Sequence, residues 1–231
     1  MRSALILSTL ATALSAHAAG EGPPRDRLSL SASATAEVTR DVLGISFSTT
    51  REGPEAAAVQ SGLKQALDAA LVEARKIAKP GQVDVQTGSF ALYPRHDPKT
   101  GKINGWQGSA ELLVEGRDTA AIAQLSGRIN TLTIARVGYS LSREAREKAE
   151  GEITAQAIAR YRAKAADYAK QFGYGSYVVG EVSINADEGA PRPMMVKAMR
   201  MSAAGADESL PTEAGKATVT VNVSGSVQLT K

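Results

Sequence analysis

The sequence predicts an α+β fold: mostly antiparallel sheet, with three amphipathic helices packed on one side of it. Two observations predict this class. Apolar and polar residues alternate with period two in seven separate segments, and three longer segments repeat their apolar residues at steps of three and four. The strand segments also fall largely in adjacent pairs, which favours antiparallel pairing and a layered α+β arrangement. The expected order is β-β-α-β-β-α-β-α-β-β.

The first strand signal begins at Leu28. Leu30, Ala32, Ala34, Ala36 and Val38 alternate with Ser29, Ser31, Ser33, Thr35 and Glu37, as a strand with one buried and one wet face requires. After Thr39-Arg40-Asp41 a second alternation runs through Leu43, Ile45 and Phe47, and the two together read as an antiparallel hairpin. Gly53-Pro54 then opens a helix, with Pro in the first turn where its missing N–H costs nothing. Its stripe is Val59, Leu63, Leu67, Ala70, Ala74 and Ile77, and Pro80-Gly81 ends it.

A second strand pair follows at 83–93 and 106–115, joined by a connector at 94–105 dense in turn formers. The apolar parity slips between Val85 and Phe90 around Gly88, which predicts a bulge. Asp118 or Thr119 caps a short helix lined by Ile122, Leu125 and Ile129. Residues 132–141 form a fifth strand, with another parity slip between Ile134 and Val137.

Ser142 starts the longest helix, which reaches about Phe172. Its predicted buried stripe is Ala145, Ala149, Ile153, Ala157, Tyr161, Ala165, Tyr168 and Phe172, with Gly173 and Gly175 as stops. A sixth strand covers 177–185. A loop rich in Pro, Gly, Ala and Met, expected to be mobile, spans 186–215. The last strand alternates through Ala217, Val219, Val221, Val223, Gly225, Val227 and Leu229.

The N-terminus predicts the compartment. Met1-Arg2-Ser3 is a short positive start, Ala4 to Leu14 is apolar and uncharged, and Ala16-His17-Ala18 is an A-x-A site, the three parts of a cleavable signal peptide over 1–18. The apolar run is too short to cross a bilayer of about 30 Å as a helix. No later stretch is long and apolar enough to span once the signal is removed. Residues 19–27 then read as a flexible Pro/Gly leader and 28–231 as a single domain. The expected location is periplasmic, and association with the cell envelope is compatible with that address.

Composition excludes several function classes. The chain has no cysteine, which removes disulfides, a thiolate nucleophile and thiolate metal sites. Loss of Arg2 with the signal takes the bases from 27 to 26 against 24 acids, a balance of about +2 that points to no nucleic-acid partner. Aromatic residues are 4% of the chain, too few for a base-stacking platform.

Certain pieces carry a family resemblance. They are the opening strand ending near Asp41; Val83-Asp84-Val85-Gln86-Thr87 leading to Phe90-Ala91-Leu92-Tyr93-Pro94; Gly138-Tyr139-Ser140-Leu141-Ser142 running into the Ala-rich helix that closes at Phe172-Gly173; and Lys197-Ala198-Met199-Arg200-Met201 before the last strand. In this ordered set the chain resembles the SIMPL-domain family from about Leu28 to the C-terminus. It departs in having Ser31 and Ser33 where relatives often carry Gly. The resemblance implies a periplasmic or outer-envelope location, a link to oxidative or envelope stress in some members, and self-assembly into large rings. It implies no catalytic residue.

The residues supply no catalytic constellation either. With His17 removed, His96 is the single histidine, placed in a polar connector where a solvated loop residue is the plain reading. There is no G-x-S-x-G elbow, and zinc sites built from several His or Cys ligands cannot form. Glu144, Glu147, Glu150 and Glu152 lie among Arg143, Arg146 and Lys148, as on a solvated helix face stabilised by i,i+4 pairs and the helix dipole. No Gly-rich stretch fits a nucleotide-binding pattern.

One chemically suggestive feature is left, the set Met194, Met195, Met199 and Met201. Four thioethers within eight residues can ligate Cu(I) or take up oxidant as sulfoxides, and they can equally pack or contact a partner. The expectation is therefore a secreted, non-enzymatic protein without cofactor that forms homo-oligomers and contributes to envelope or oxidative-stress defence. The alternative is a copper-binding or oxidant-scavenging protein that depends on the Met loop.

Overall fold

A computed structural model describes residues 26–188 and 210–231. The predicted signal peptide, nearly all of the leader and the four loop methionines lie outside the described residues. The elements are β1 (Arg27–Thr39), β2 (Val42–Gly53), α1 (Ala56–Arg75), β3 (Val83–His96), β4 (Ile103–Gly116), α2 (Thr119–Arg128), β5 (Thr133–Ser140), α3 (Arg143–Gln171), β6 (Ser176–Glu188) and β7 (Lys216–Thr230). This is the α+β order that the alternation predicts.

The strands form two antiparallel sheets, β1-β7-β6 and β3-β4-β2-β5. The expected β1–β2 hairpin is therefore wrong. β1 pairs along its whole length with β7, from Arg27 opposite Gln228 to Thr39 opposite Lys216, while β2 lies between β4 and β5. The physical reason sits in Arg40-Asp41. A two-residue hairpin turn favours Asn-Gly, Asp-Gly or Gly-Gly because its central residues take positive φ, and Arg40-Asp41 brings no Gly and adopts no positive φ. The chain runs on instead: the Arg40 amide donates to Gly215 O at 3.0 Å and the Asp41 amide to Ser140 O at 3.1 Å, so consecutive residues belong to different sheets.

Each sheet has its own core. In the larger, Leu43, Ile45 and Phe47 of β2 and Ala110, Leu112 and Val114 of β4 pack under Val59, Leu63, Leu67 and Ala70 of α1 and Ile122 and Leu125 of α2. In the smaller, Leu30 and Ala34 of β1 and Val219, Val221, Val223 and Val227 of β7 pack under α3. Each fully buried Leu, Ile, Val or Phe stabilises its sheet by roughly 1.5–3 kcal/mol.

The contact line of α3 is Ala149, Ile153, Ala157, Tyr161, Ala165 and Ala169. Tyr168 is half-buried and Phe172 is 63% exposed, contrary to the predicted stripe. A run of strict four-residue steps follows a ridge inclined to the helix axis, so α3 crosses the sheet obliquely and keeps Ala169 in the core where a step of three would have turned to Tyr168.

The caps follow ordinary rules. The Ser142 hydroxyl accepts from Ala145 N at 3.2 Å, and the Asp118 carboxylate accepts from Ala121 N at 3.0 Å. Gly173, at φ +83°, ends α3 in a Schellman motif, with Tyr174 N donating to Ala169 O at 2.8 Å. Pro54 lies outside α1, whose N-cap is Glu55, so the predicted first-turn proline precedes the helix. Ile77 follows α1 and packs against its core only partly.

The predicted bulge between Thr87 and Phe90 is present in the β3–β4 ladder, and the parity slip between Ile134 and Val137 is a bulge in β5, where Ala135 is the extra residue between Ile134 and Arg136, the partners of Phe47 and Ser46. The 94–105 connector is shorter than expected. The strands run to His96 and from Ile103, closed by an Asp97 side chain that accepts from Lys99 N and Thr100 N at 2.9 and 2.8 Å.

Candidate functional site

Two places in the fold depart from ordinary packing: the passage between the sheets, and the outer edge of β6.

At the passage, the Asp41 carboxylate accepts from the Ser142 amide at 2.7 Å and from the Ser142 hydroxyl at 2.6 Å. Arg117 Nε lies 3.5 Å from the same carboxylate, and its Nη2 pairs with Glu144. Burial acts to raise the Asp41 carboxyl, but the two bonds from Ser142, its own amide and Arg117 outweigh it and hold the group below its ordinary value. The sequence offers no signal for this cluster. Asp41 and Ser142 are 101 positions apart, and each alone looks like a turn residue or a helix cap. A cleft of about 380 Å³ opens beside it, lined in part by Gln82, Asp84, Glu115, Arg117 and Ser142.

The second place is an edge. Sheet β1-β7-β6 ends on β1 at one side and β6 at the other. The β1 edge is closed by α3, where Arg160 Nη1 donates to Ser33 O at 2.8 Å and Lys164 Nζ to Ser31 O at 3.0 Å. Among the described residues β6 pairs with β7 alone. It is 13 residues long, has no proline and no base, and leaves Val178, Val179, Val182 and Ile184 between 37% and 59% exposed. A long apolar edge with unpaired backbone groups is a template for another strand. Its parity is broken by a bulge between Val179 and Val182, where a Cβ on Gly225 would stand 2.3 Å from Glu181 O. That break hid the edge from a period-two reading.

A second polar group lies on the larger sheet. The Ser46 hydroxyl donates to Glu111, which also faces Ser89 N at 3.5 Å across the Gly88 bulge. The bond from Ser46, then that from Ser89, hold the Glu111 carboxyl low against desolvation, with help from Arg136. Ser46, Ser89 and Arg136 satisfy it.

The residues singled out in the sequence stand as follows. His96 is exposed at the end of β3 opposite Ile103, in a ladder and not in a loop. Arg143 and Glu147 form an i,i+4 pair at 2.7 Å, Glu144 reaches Arg117, Glu150 is half-buried and Glu152 exposed. These acids converge on no common point. Met194, Met195, Met199 and Met201 lie outside the described residues. No cluster of three or more His, Cys, Asp or Glu able to hold a metal occurs among the described residues. A cleft of about 610 Å³ between Arg51–Pro54 and α1 is open, and the charged groups that line it are Arg51 and Glu52. No helix among the described residues is long and apolar enough to cross a membrane.

The family SIMPL, described as a protein of unknown function (DUF541), matches residues 28–227. No curated protein matches the chain.

Proposed function

The chain belongs to the SIMPL family, and from that premise we propose that it is a secreted, periplasmic, non-enzymatic protein that associates with copies of itself and contributes to envelope or oxidative-stress defence. The observation that carries self-association is the asymmetry of the smaller sheet. Its β1 edge is covered by Arg160 and Lys164, while its apolar β6 edge pairs with no further strand among the described residues. A second copy can add its own β6 there, antiparallel across a two-fold axis, so that each edge satisfies the other. The three acidic residues of β6 argue against an acidic partner strand lying directly in register with them. A pairing centred near Val182 sets Glu181 opposite Ser183 and avoids that conflict.

Secretion is supported by the pattern of residues 1–18. A non-enzymatic role is supported by polar clusters whose members satisfy one another and by acids dispersed over helix faces. Light scattering on the mature protein at micromolar concentration tests the assembly. A mass that is a multiple of the protomer supports it, and a strictly monomeric species overturns it.

The alternative role, copper binding or oxidant scavenging, rests on the density of methionine at 194–201. Titration of Cu(I) into the wild type and a variant with all four methionines changed to Leu separates the two readings. Equal binding by both removes the alternative.

A further inference from the structure

The two cores share no residue. Chain passages change from one to the other between Val38 and Leu43 and between Tyr139 and Leu141, and the segment from Leu210, which packs on the larger core, enters the smaller at Ala217. These three passages meet at one point. The Arg40 amide donates to Gly215 O, the Asp41 amide donates to Ser140 O, and the Asp41 carboxylate holds the Ser142 amide and hydroxyl. Three connections converging on two residues constrain position and leave rotation about that point, which is the geometry of a hinge.

What fixes the setting is polar. Arg117, at the start of the α2 region of the larger lobe, reaches Asp41 at the pivot and Glu144 in the first turn of α3 on the smaller. Those side chains are 36–74% exposed, so their attraction is screened and can be given up at little cost. The junction cleft lies between the same residues, so a change of setting opens or closes it.

We infer that Asp41 is the pivot of a hinge between two independently packed lobes, and that Arg117 is the residue that positions them. Rigid lobes about such a pivot let one chain adopt different angles between its sheets. The inference is independent of self-association.

The absence of cysteine allows a direct test. Spin labels on Asp68→Cys in α1 and Gln156→Cys in α3, both exposed, report the distance between lobes by pulsed electron resonance. Labels on Asp68→Cys and Gln124→Cys report within the larger lobe. The measurement is made on protein diluted with unlabelled chain, so that contacts between copies do not contribute. Adding Arg117→Gln, which leaves the α3 cap intact, is expected to widen or shift the inter-lobe distribution and leave the intra-lobe one unchanged. Asp41→Asn is expected to act in the same direction, and to speed exchange of the Ser142 amide by about fivefold, the ratio that a cap-sized contact of about 1 kcal/mol implies. An inter-lobe distribution that stays at its original mean and width in both variants would overturn the hinge. So would equal broadening of both label pairs, because the lobes would then not move as units.

Discussion

Replacing Asp41 by Ala tests the junction energetically. The substitution removes the acceptor for two donors of Ser142, a residue that is only 7% exposed, so its amide is left without a partner. An orphaned, buried donor costs about 1–3 kcal/mol. The Ser142 hydroxyl is less affected, because it still accepts from Ala145 N and keeps its capping role. The Asp41 side chain itself is 36% exposed, so its pairing with Arg117 is screened and adds little. The sum is a loss of about 2 kcal/mol. Ser142→Ala loses the cap, worth about 1 kcal/mol, together with its side of the Asp41 bond.

Because both changes break the same bond, the double variant should cost about 1 kcal/mol less than the two single losses added. Denaturant unfolding measures this as a shift in midpoint at constant slope. Strict additivity, or an Asp41→Ala loss below about 0.5 kcal/mol, would refute the reasoning.

The same group sets a pH dependence. The folded-state pKa of Asp41 is lower than its ordinary value, so folding favours the ionised form. Its stabilisation is therefore fully present above about pH 4, the unfolded value, and is lost as pH falls through the lower folded value. Asp41→Asn should flatten that part of the stability–pH curve, and a curve parallel to wild type would contradict the assignment.

Further expectations follow from single residues. Tyr161 is 2% exposed and its hydroxyl has no hydrogen-bond partner among the described residues, so Tyr161→Phe should be neutral or raise the melting temperature; a loss of more than about 1 kcal/mol would mean that the hydroxyl is satisfied in solution. Gly225→Ala places a Cβ 2.3 Å from Glu181 O and 2.9 Å from Val182 Cα, which forces β6 away from β7 and should cost about 2–3 kcal/mol in thermal unfolding, whereas a Cβ accommodated without loss would show that the bulge is loose. Arg160→Ala with Lys164→Ala uncovers two carbonyls of the β1 edge, and light scattering should detect species larger than wild type; an unchanged mass would mean that these side chains do not guard the edge.

Period and punctuation made the elements legible. The alternation of Val219, Val221 and Val223, the Ser142 cap and the Gly173 stop are local signals, and each stands where its chemistry requires. Pairing was not local. Arg40-Asp41 has the length of a hairpin turn without its residues, and only the distant partners Gly215 and Ser140 reveal that the chain changes sheets there. The same distance hid the cluster at Asp41, because a carboxylate and a serine far apart in sequence carry no spacing signal. The roles of Arg160 and Lys164 carry no sequence signal, since a side chain that covers a strand edge obeys the same helical period as one that faces water. The strand at 177–185 was legible, but nothing in a single strand says whether a neighbour flanks it, so its place at a sheet edge was not.

The most direct measurement is the mass of the secreted, processed protein, compared with that of an Ile184→Lys variant. Lysine at that position, now 47% exposed on the β6 edge, sets a charge where an approaching strand would lose its solvation. Self-association through β6 predicts a multimer for wild type, and for the variant a smaller mass with an unchanged circular dichroism spectrum. A wild-type monomer, or a variant that keeps the full multimeric mass, would contradict it.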